Sequence, residues 1–421
     1  MASVIVGALM VEAGYRAWLY FSGTFDHALT ILPFALTSET ENGTMRAPGS
    51  RSRWKIFDKN HDIVFETDIR INRAGFRSDF EFPIAKESGE LRIAVLGDSM
   101  VEGLNNNFTW ADELQKVLAK SDLSKKYSKI RAMNFGEIGA GVQKMFINYI
   151  LYAEKFKPDL VVLSFIDDDI RRIHGAPTAK DREIGKNVQW QQQVEDPNFK
   201  INPMDHVRWP PTIVIDGVRV HLVCQSLPYS LDNKKCFPWE MFYADDAIAF
   251  DKQKMLSVKK KLMRQIMSRL WFSPYPLSYY AMLGYPPTLN YTALRQRFFD
   301  EVLAPKTSAK TSAASLPAQD SVSLSTDAIL NLKAEVKDLI VVYQPQYRQL
   351  AKKTPDIGLA ELREKLHPIQ ILDARAYLPL PATEDEITSW FNLPHDGHWS
   401  DKGARIYARA VARMVTEHVV R

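Results

Sequence analysis

Apolar residues recur along this chain in two periods. Short unbroken runs occupy Leu91 to Leu96, Ile130 to Phe135, Leu160 to Phe165, Leu339 to Tyr343 and Ile369 to Asp373, and runs of this length predict buried strands. Between the first three, apolar positions recur at helical spacing, with Leu114, Val117 and Leu118 on one face and then Met145, Tyr149 and Tyr152 on another. Strand alternating with helix predicts an α/β fold on a parallel sheet. The segment from Asp401 to Val420 sets Ala404, Tyr407, Ala408, Val411 and Val415 on one stripe, with Ser400 placed to cap it.

Polar chemistry collects where these elements end. The first run leads into Leu96-Gly97-Asp98-Ser99-Met100-Val101-Glu102-Gly103, which sets a serine at a strand-to-loop turn, in the crevice where open α/β sheets bind ligands. Taken alone, Gly-Asp-Ser is also ordinary turn and helix-cap chemistry. Near the other end, Leu393-Pro394-His395-Asp396-Gly397-His398-Trp399-Ser400 precedes the last helical stripe. A serine hydroxyl needs an imidazole to take its proton, and the imidazole needs a carboxylate to fix its tautomer and stabilise its charge. Asp396 and His398, two positions apart, fit those two roles.

Together these segments resemble the SGNH, or GDSL-type, hydrolase family, and two further blocks extend the resemblance in the family's order. Asn134-Phe135-Gly136-Glu137-Ile138-Gly139-Ala140-Gly141 is similar to the second block, in which a glycine N–H faces the oxyanion, with Gly139 at the matching position. Asp159 to Asp169 is similar to the third block, with Asp168-Asp169 where the family usually has Asn-Asp. Ile71-Asn72-Arg73-Ala74-Gly75-Phe76-Arg77 resembles the lead-in of bacterial envelope members. The resemblance implies a flavodoxin-like three-layer SGNH-type domain with a parallel sheet, carrying a large insertion. It also implies Ser99, Asp396 and His398 as catalytic residues, with oxyanion donors at Ser99, Gly139 and the Asp168 position.

The domain plan expected from this is a membrane anchor or signal-like helix at 1–25, a lead-in at 26–90, the α/β domain at 91–175 and 335–421, an insertion at 176–305, and a Ser/Ala/Thr-rich flexible linker at 306–326. At the amino terminus Ala2 to Val11 is nearly all apolar and aromatics follow through Phe21, but Glu12 and Arg16 interrupt the pattern. A spanning helix needs about 20 mainly apolar residues, so an amphipathic helix packed on the domain is the alternative there. Within the insertion, Trp209 to Val223 predicts a β-hairpin turning at Asp216-Gly217.

Composition narrows the function. Net charge is only +4, from 54 basic and 50 acidic residues, which gives no electrostatic case for nucleic acid as a partner. The only cysteines, Cys224 and Cys236, sit in the insertion, so no cysteine metal cluster exists, and an oxidising compartment would allow them to pair. The expected activity is serine-dependent hydrolysis or transfer of an O-acyl group, without cofactor or metal. The expected substrate is an O-acylated cell-envelope polysaccharide, and the expected location is the periplasm, with membrane association through the amino terminus. A catalytically weak glycan-binding or assembly protein is the alternative, because an ionised Asp168 cannot donate a hydrogen bond. Two unit charges about 4 Å apart repel by roughly 4 kcal/mol at an effective dielectric near 20. Asp168 must then be protonated or turned toward Arg171 or Arg172.

Overall fold

In the computed structural model the described residues are chiefly 63–103, 105–184, 321–394 and 396–420, with backbone alone for short strands elsewhere. The five expected strands form one parallel sheet: β1 (Glu90–Leu96), β2 (Lys129–Asn134), β3 (Leu160–Phe165), β4 (Leu339–Tyr343) and β5 (Ile371–Asp373). Their spatial order is β5-β4-β3-β1-β2, with every pairing parallel. That is the flavodoxin-like order, whose switch point lies between β1 and β3. β1, β3 and β4 are buried at every position, whereas the edge strands are only partly so. A central parallel strand is covered on both faces, which is why these segments read as unbroken apolar runs rather than alternating ones.

Alternation along each strand divides the core in two. Ala94, Leu96, Val161, Leu163, Val341 and Tyr343 face one cluster, where Met145, Phe146, Ile329, Leu332, Leu362 and Leu366 join them from the helices. Ile93, Val95, Leu160, Val162, Ile340 and Val342 face the other, with Leu114, Leu118, Tyr407, Val411 and Val415. The first layer is built by α3 (Val142–Asn148), α5 (Ser321–Glu335) and α6 (Leu359–Leu366). The second is built by α2 (Trp110–Leu118) and α7 (Asp401–Val420). Each fully buried aliphatic side chain contributes about 1.5–3 kcal/mol, so the two faces together fix the sheet and, with it, the crevice at its carboxyl edge.

α5 starts at Ser321, six residues inside the expected 306–326 linker. Val322, Ser325, Thr326 and Ile329 are buried, so the segment has a core-facing stripe that its Ser/Thr-rich composition hid. The chain divides into two compact units, one of residues 35–54, 66–208 and 316–421 that holds this sheet, and one of residues 1–34, 55–65 and 209–315. In the second unit a four-stranded sheet runs in the order Thr30–Leu32, Lys235–Phe242, Val218–Gln225, Thr212–Ile215. Ile215 pairs with Val218 across the expected hairpin, and Cys224 is the register partner of Cys236. The expected anchor at 1–25, apart from Met10, Ala13 and Gly14, and most of the expected linker lie outside the described residues. Among the described residues no helix is long and apolar enough to cross a membrane.

α7 begins under a tight contact. Ser400 Oγ accepts from the Gly403 N–H at 3.2 Å and donates to the Ser389 carbonyl at 2.7 Å, the cap expected from sequence. A Cβ on Gly403 would lie 1.9 Å from the Trp390 carbonyl oxygen and 2.7 Å from the Trp399 ring. Alanine is the better helix former by about 1 kcal/mol, yet overpacking against backbone costs about 1–3 kcal/mol or more. Gly403→Ala should therefore destabilise by about 2 kcal/mol and lower the Tm by roughly 5 °C. An unchanged or raised Tm by calorimetry would contradict this packing.

Candidate active site

The carboxyl ends of β1 and β2 each deliver one part of the site. After β1, Asp98 caps the single-turn helix α1 (Ser99–Glu102), its carboxylate accepting from the Met100 N–H at 2.9 Å. Ser99 is thus the first residue of a helix, where the backbone N–H has no intrahelical partner. After β2 the chain makes a turn from Glu137 to Ala140, closed by the Ala140 N–H on the Glu137 carbonyl at 3.1 Å, with Gly139 at φ 74°. A positive φ at the third position of such a turn favours glycine. Two bonds tie this turn to the serine helix: the Glu137 N–H donates to the Gly97 carbonyl at 3.1 Å and the Ile138 N–H to Glu102 Oε2 at 2.9 Å. His174 braces its other side, with Nε2 3.2 Å from the Gly139 carbonyl.

The third part comes from the loop before α7. His398 Nε2 lies 2.7 Å from Ser99 Oγ, and His398 Nδ1 lies 2.7 and 2.8 Å from the two Asp396 oxygens. Nδ1 then carries the proton and donates to the carboxylate, and Nε2 offers its lone pair to the hydroxyl. Asp396 also accepts from the Asn105 side-chain amide. Burial pushes the Asp396 carboxyl up, but the His398 and Asn105 hydrogen bonds together with the His398 charge outweigh it and hold the group below the usual carboxyl range. The loop is held in place by aromatic stacking, Phe391 on Trp399 at 4.4 Å and Trp399 on Tyr407 at 5.5 Å between centroids. His395 lies outside the described residues.

The three aspartates after β3 diverge. On α4 (Asp167–Arg171), Asp167 is fully buried and accepts from Arg348 at 2.6 Å and from Gln349 at 2.9 Å. Asp168 pairs with Arg171 and with Arg348 at 3.3 Å. Burial raises the Asp168 carboxyl, the two arginines outweigh this, and the group sits below its ordinary value. An ionised carboxylate has no proton to give, so Asp168 leaves the set of oxyanion donors. Of its two expected partners, Arg171 and Arg172, it pairs with Arg171 and not with Arg172. Arg172 bonds instead to Asp169 and, at 3.3 Å, to Asp98. Among the described residues no group of His, Cys, Asp and Glu is arranged to hold a metal ion.

Residues 93–189 match the family model of the GDSL-like lipase/acylhydrolases. With its five-stranded parallel sheet, the chain carries an SGNH/GDSL-type hydrolase domain, and the activity class this domain supports is ester hydrolysis. No curated protein matches the chain. Asp396 and His398 lie beyond the matched residues, so their place beside Ser99 rests on the distances above. Sequence reasoning missed Glu102, Asn105, His174 and Arg348, and named Arg172 for Asp168 rather than for Asp98 and Asp169. The run Asn105-Asn106-Asn107 was a visible signal, but nothing local said what it meets.

Asp98 and Asp169 form a buried acidic pair behind the serine, with Arg172 as their shared cation. Burial raises Asp98 above the usual carboxyl range, and burial followed by the Asp98 charge raises Asp169 well above it, while Arg172 offsets part of both. Raised native values mean that the folded state holds more protons than the unfolded one. Stability therefore falls as pH rises from the unfolded carboxyl pKa near 3.9 toward the native values. Arg172→Ala should deepen that fall. Removing one partner of a buried pair costs about 3–5 kcal/mol, and the one-third exposure of Arg172 reduces the expectation to about 2 kcal/mol at neutral pH. Adding Asp169→Asn should recover most of it. Thermal melts from pH 5 to 8 test this, and a pH-independent loss in Arg172→Ala would contradict the shared-cation account.

Proposed function

We propose that the protein is a serine-dependent acyl-ester hydrolase or O-acyltransferase acting on an O-acylated cell-envelope polysaccharide. The observation that carries this reading is the unbroken chain from Ser99 Oγ through His398 to Asp396, with both links at 2.7 Å. In this mechanism Ser99 Oγ attacks the ester carbonyl carbon as its proton passes to His398 Nε2. Asp396 holds the imidazole and stabilises the imidazolium. The N–H groups of Ser99 and Gly139 receive the oxyanion, each such donor being worth about 10²–10³ in rate. Collapse breaks the carbon–oxygen bond to the leaving alcohol, which takes the proton back from His398. A water or an acceptor hydroxyl, deprotonated by the same imidazole, then attacks the acyl carbon, the bond to Ser99 Oγ breaks, and the imidazolium returns the proton to that oxygen.

Polysaccharide substrates and a periplasmic setting follow from the likeness of the Ile71 to Arg77 lead-in to envelope proteins and from the apolar, aromatic amino terminus, which would hold the protein at the inner membrane. The Asp168–Arg171–Arg348 arrangement favours a second reading, a catalytically weak protein that binds glycan, because one customary oxyanion donor is spent in an ion pair.

Turnover of a small acetyl ester without added metal separates the two readings. Ser99→Ala and His398→Ala should each abolish it, by similar factors because the two groups act as one unit, with melting temperatures close to native. A folded native protein with no ester turnover would favour the glycan-binding reading.

The location has its own test. Opposed residues of antiparallel strands have Cα atoms about 4.5 or 5.5 Å apart, within the span of a disulfide, and Cys224 and Cys236 are so opposed. Protein recovered from the membrane fraction should carry this bond, worth about 3 kcal/mol. Two free thiols by non-reducing mass spectrometry, or clean recovery from the cytosol, would count against the periplasmic placement.

A further inference from the structure

Three consecutive asparagines between α1 and α2 bond to the loop that carries Asp396 and His398 or, for Asn107, to the first residue of the α7 helix that follows it. The Asn105 amide donates to Asp396 Oδ2, Asn106 Nδ2 donates to the Trp399 carbonyl at 2.7 Å, and Asn107 donates to Asp401 through its backbone N–H at 2.9 Å and its amide at 2.8 Å. Asn392 Nδ2 returns a bond to the Asn105 carbonyl at 3.3 Å and another to the Trp399 carbonyl at 2.9 Å. The lead-in motif anchors the near side, for the buried Arg77 guanidinium donates to the carbonyls of Gly103 and Asn106. Asn105 is itself buried and stands at φ 68°, a left-handed conformation that asparagine tolerates better than most residues but at some cost. Its amide orientation is set by chemistry, because the Oδ1 atom turned toward Asp396 would face a carboxylate.

We infer that Asn105 is a positioning residue for the acid–base pair: its amide fixes the Asp396 carboxylate, and through it the His398 imidazole, against Ser99. Asn106, Asn107 and Arg77 hold the two loops in register so that this amide meets its acceptor. The inference rests on the reading of Ser99, His398 and Asp396 as one catalytic set. A carboxylate rotated or shifted by the loss of this bond carries the imidazole with it, and a misplacement of about 1 Å can cost on the order of 10²-fold in rate. The amide also withdraws charge from the carboxylate, so its loss leaves Asp396 a stronger partner for the imidazolium. The other charges about this pair are Asp98 behind Ser99, with Arg172 and Asp169 beyond it, and Asp401 on the far side of Asn107.

Two variants separate the amide from the backbone. Asn105→Gly accepts the left-handed backbone without strain and removes the amide alone, while Asn105→Asp keeps the side-chain shape and turns a carboxylate toward Asp396. Expected for Asn105→Gly are a Tm near native, kcat down about tenfold to a hundredfold on an acetyl ester with KM little changed, and His398 titrating at higher pH in ¹⁵N-histidine NMR spectra assigned with His398→Ala. Asn105→Asp should move both quantities further in the same direction. Native kcat and an unmoved His398 titration in Asn105→Gly would overturn the proposal. A fall in Tm and kcat with the titration unmoved would do the same, because Asn105 would then serve the fold alone. If the native protein turned over no ester, the reading of the site would fail, and the His398 titration would still decide the role of Asn105.

Discussion

The hydrogen bonds that join residues 105–107 to residues 396–401, 291 to 294 positions further along the chain, hold the two halves of the site together. Ser99 and the Glu137–Ala140 turn belong to the β1–β2 end of the sheet, whereas Asp396 and His398 sit on a loop that no strand positions directly. The aromatic stack of Phe391, Trp399 and Tyr407 fixes that loop to the sheet face. Stacking sets depth, but it leaves rotation and sliding of the loop weakly determined. Directional bonds to buried partners supply what packing cannot, because a buried amide or carboxylate left unpaired costs about 1–3 kcal/mol or more.

Around this brace the charges are arranged with little waste. Asp98 serves α1 as a cap, Asp169 caps the backbone after β3 by accepting from the Ile166 N–H at 3.0 Å, and Arg172 joins the two. Arg348, arriving from the segment after β4, ties Asp167 and Asp168. The carboxyl edge of the sheet thus carries two carboxylate–guanidinium knots, one at Asp98 next to the serine and one between the segments after β3 and β4. Both draw together loops from different strands, and this stiffens the crevice in which an ester would have to bind.

The sheet was legible because a covered parallel strand demands an apolar run, and five such runs gave five strands within two residues of their observed bounds. That Ser99, Asp396 and His398 would meet could be expected because few residue types suit the proposed acyl-transfer chemistry and these stand in short motifs. Partners brought from a distance were not legible. The carboxylate at Asp168 invited pairing with a neighbour, and sequence suggested Arg171 or Arg172 but could not see Arg348, which topology delivers from 180 positions away. Asn105 was invisible as a partner for the same reason: periodicity says nothing of which loop meets which. The helix α5 was not foreseen, because serine and threonine, poor helix formers, supply part of its buried stripe.

The most direct test of this account is to trap the covalent intermediate. Native protein mixed briefly with an activated acetyl ester and quenched in acid should carry one acetyl group on the peptide containing Ser99 by mass spectrometry, and Ser99→Ala and His398→Ala should carry none there. Acetylation of native Ser99 no faster than in His398→Ala, or an acetyl group found only on other residues while ester is still turned over, would contradict the central claim that His398 activates Ser99.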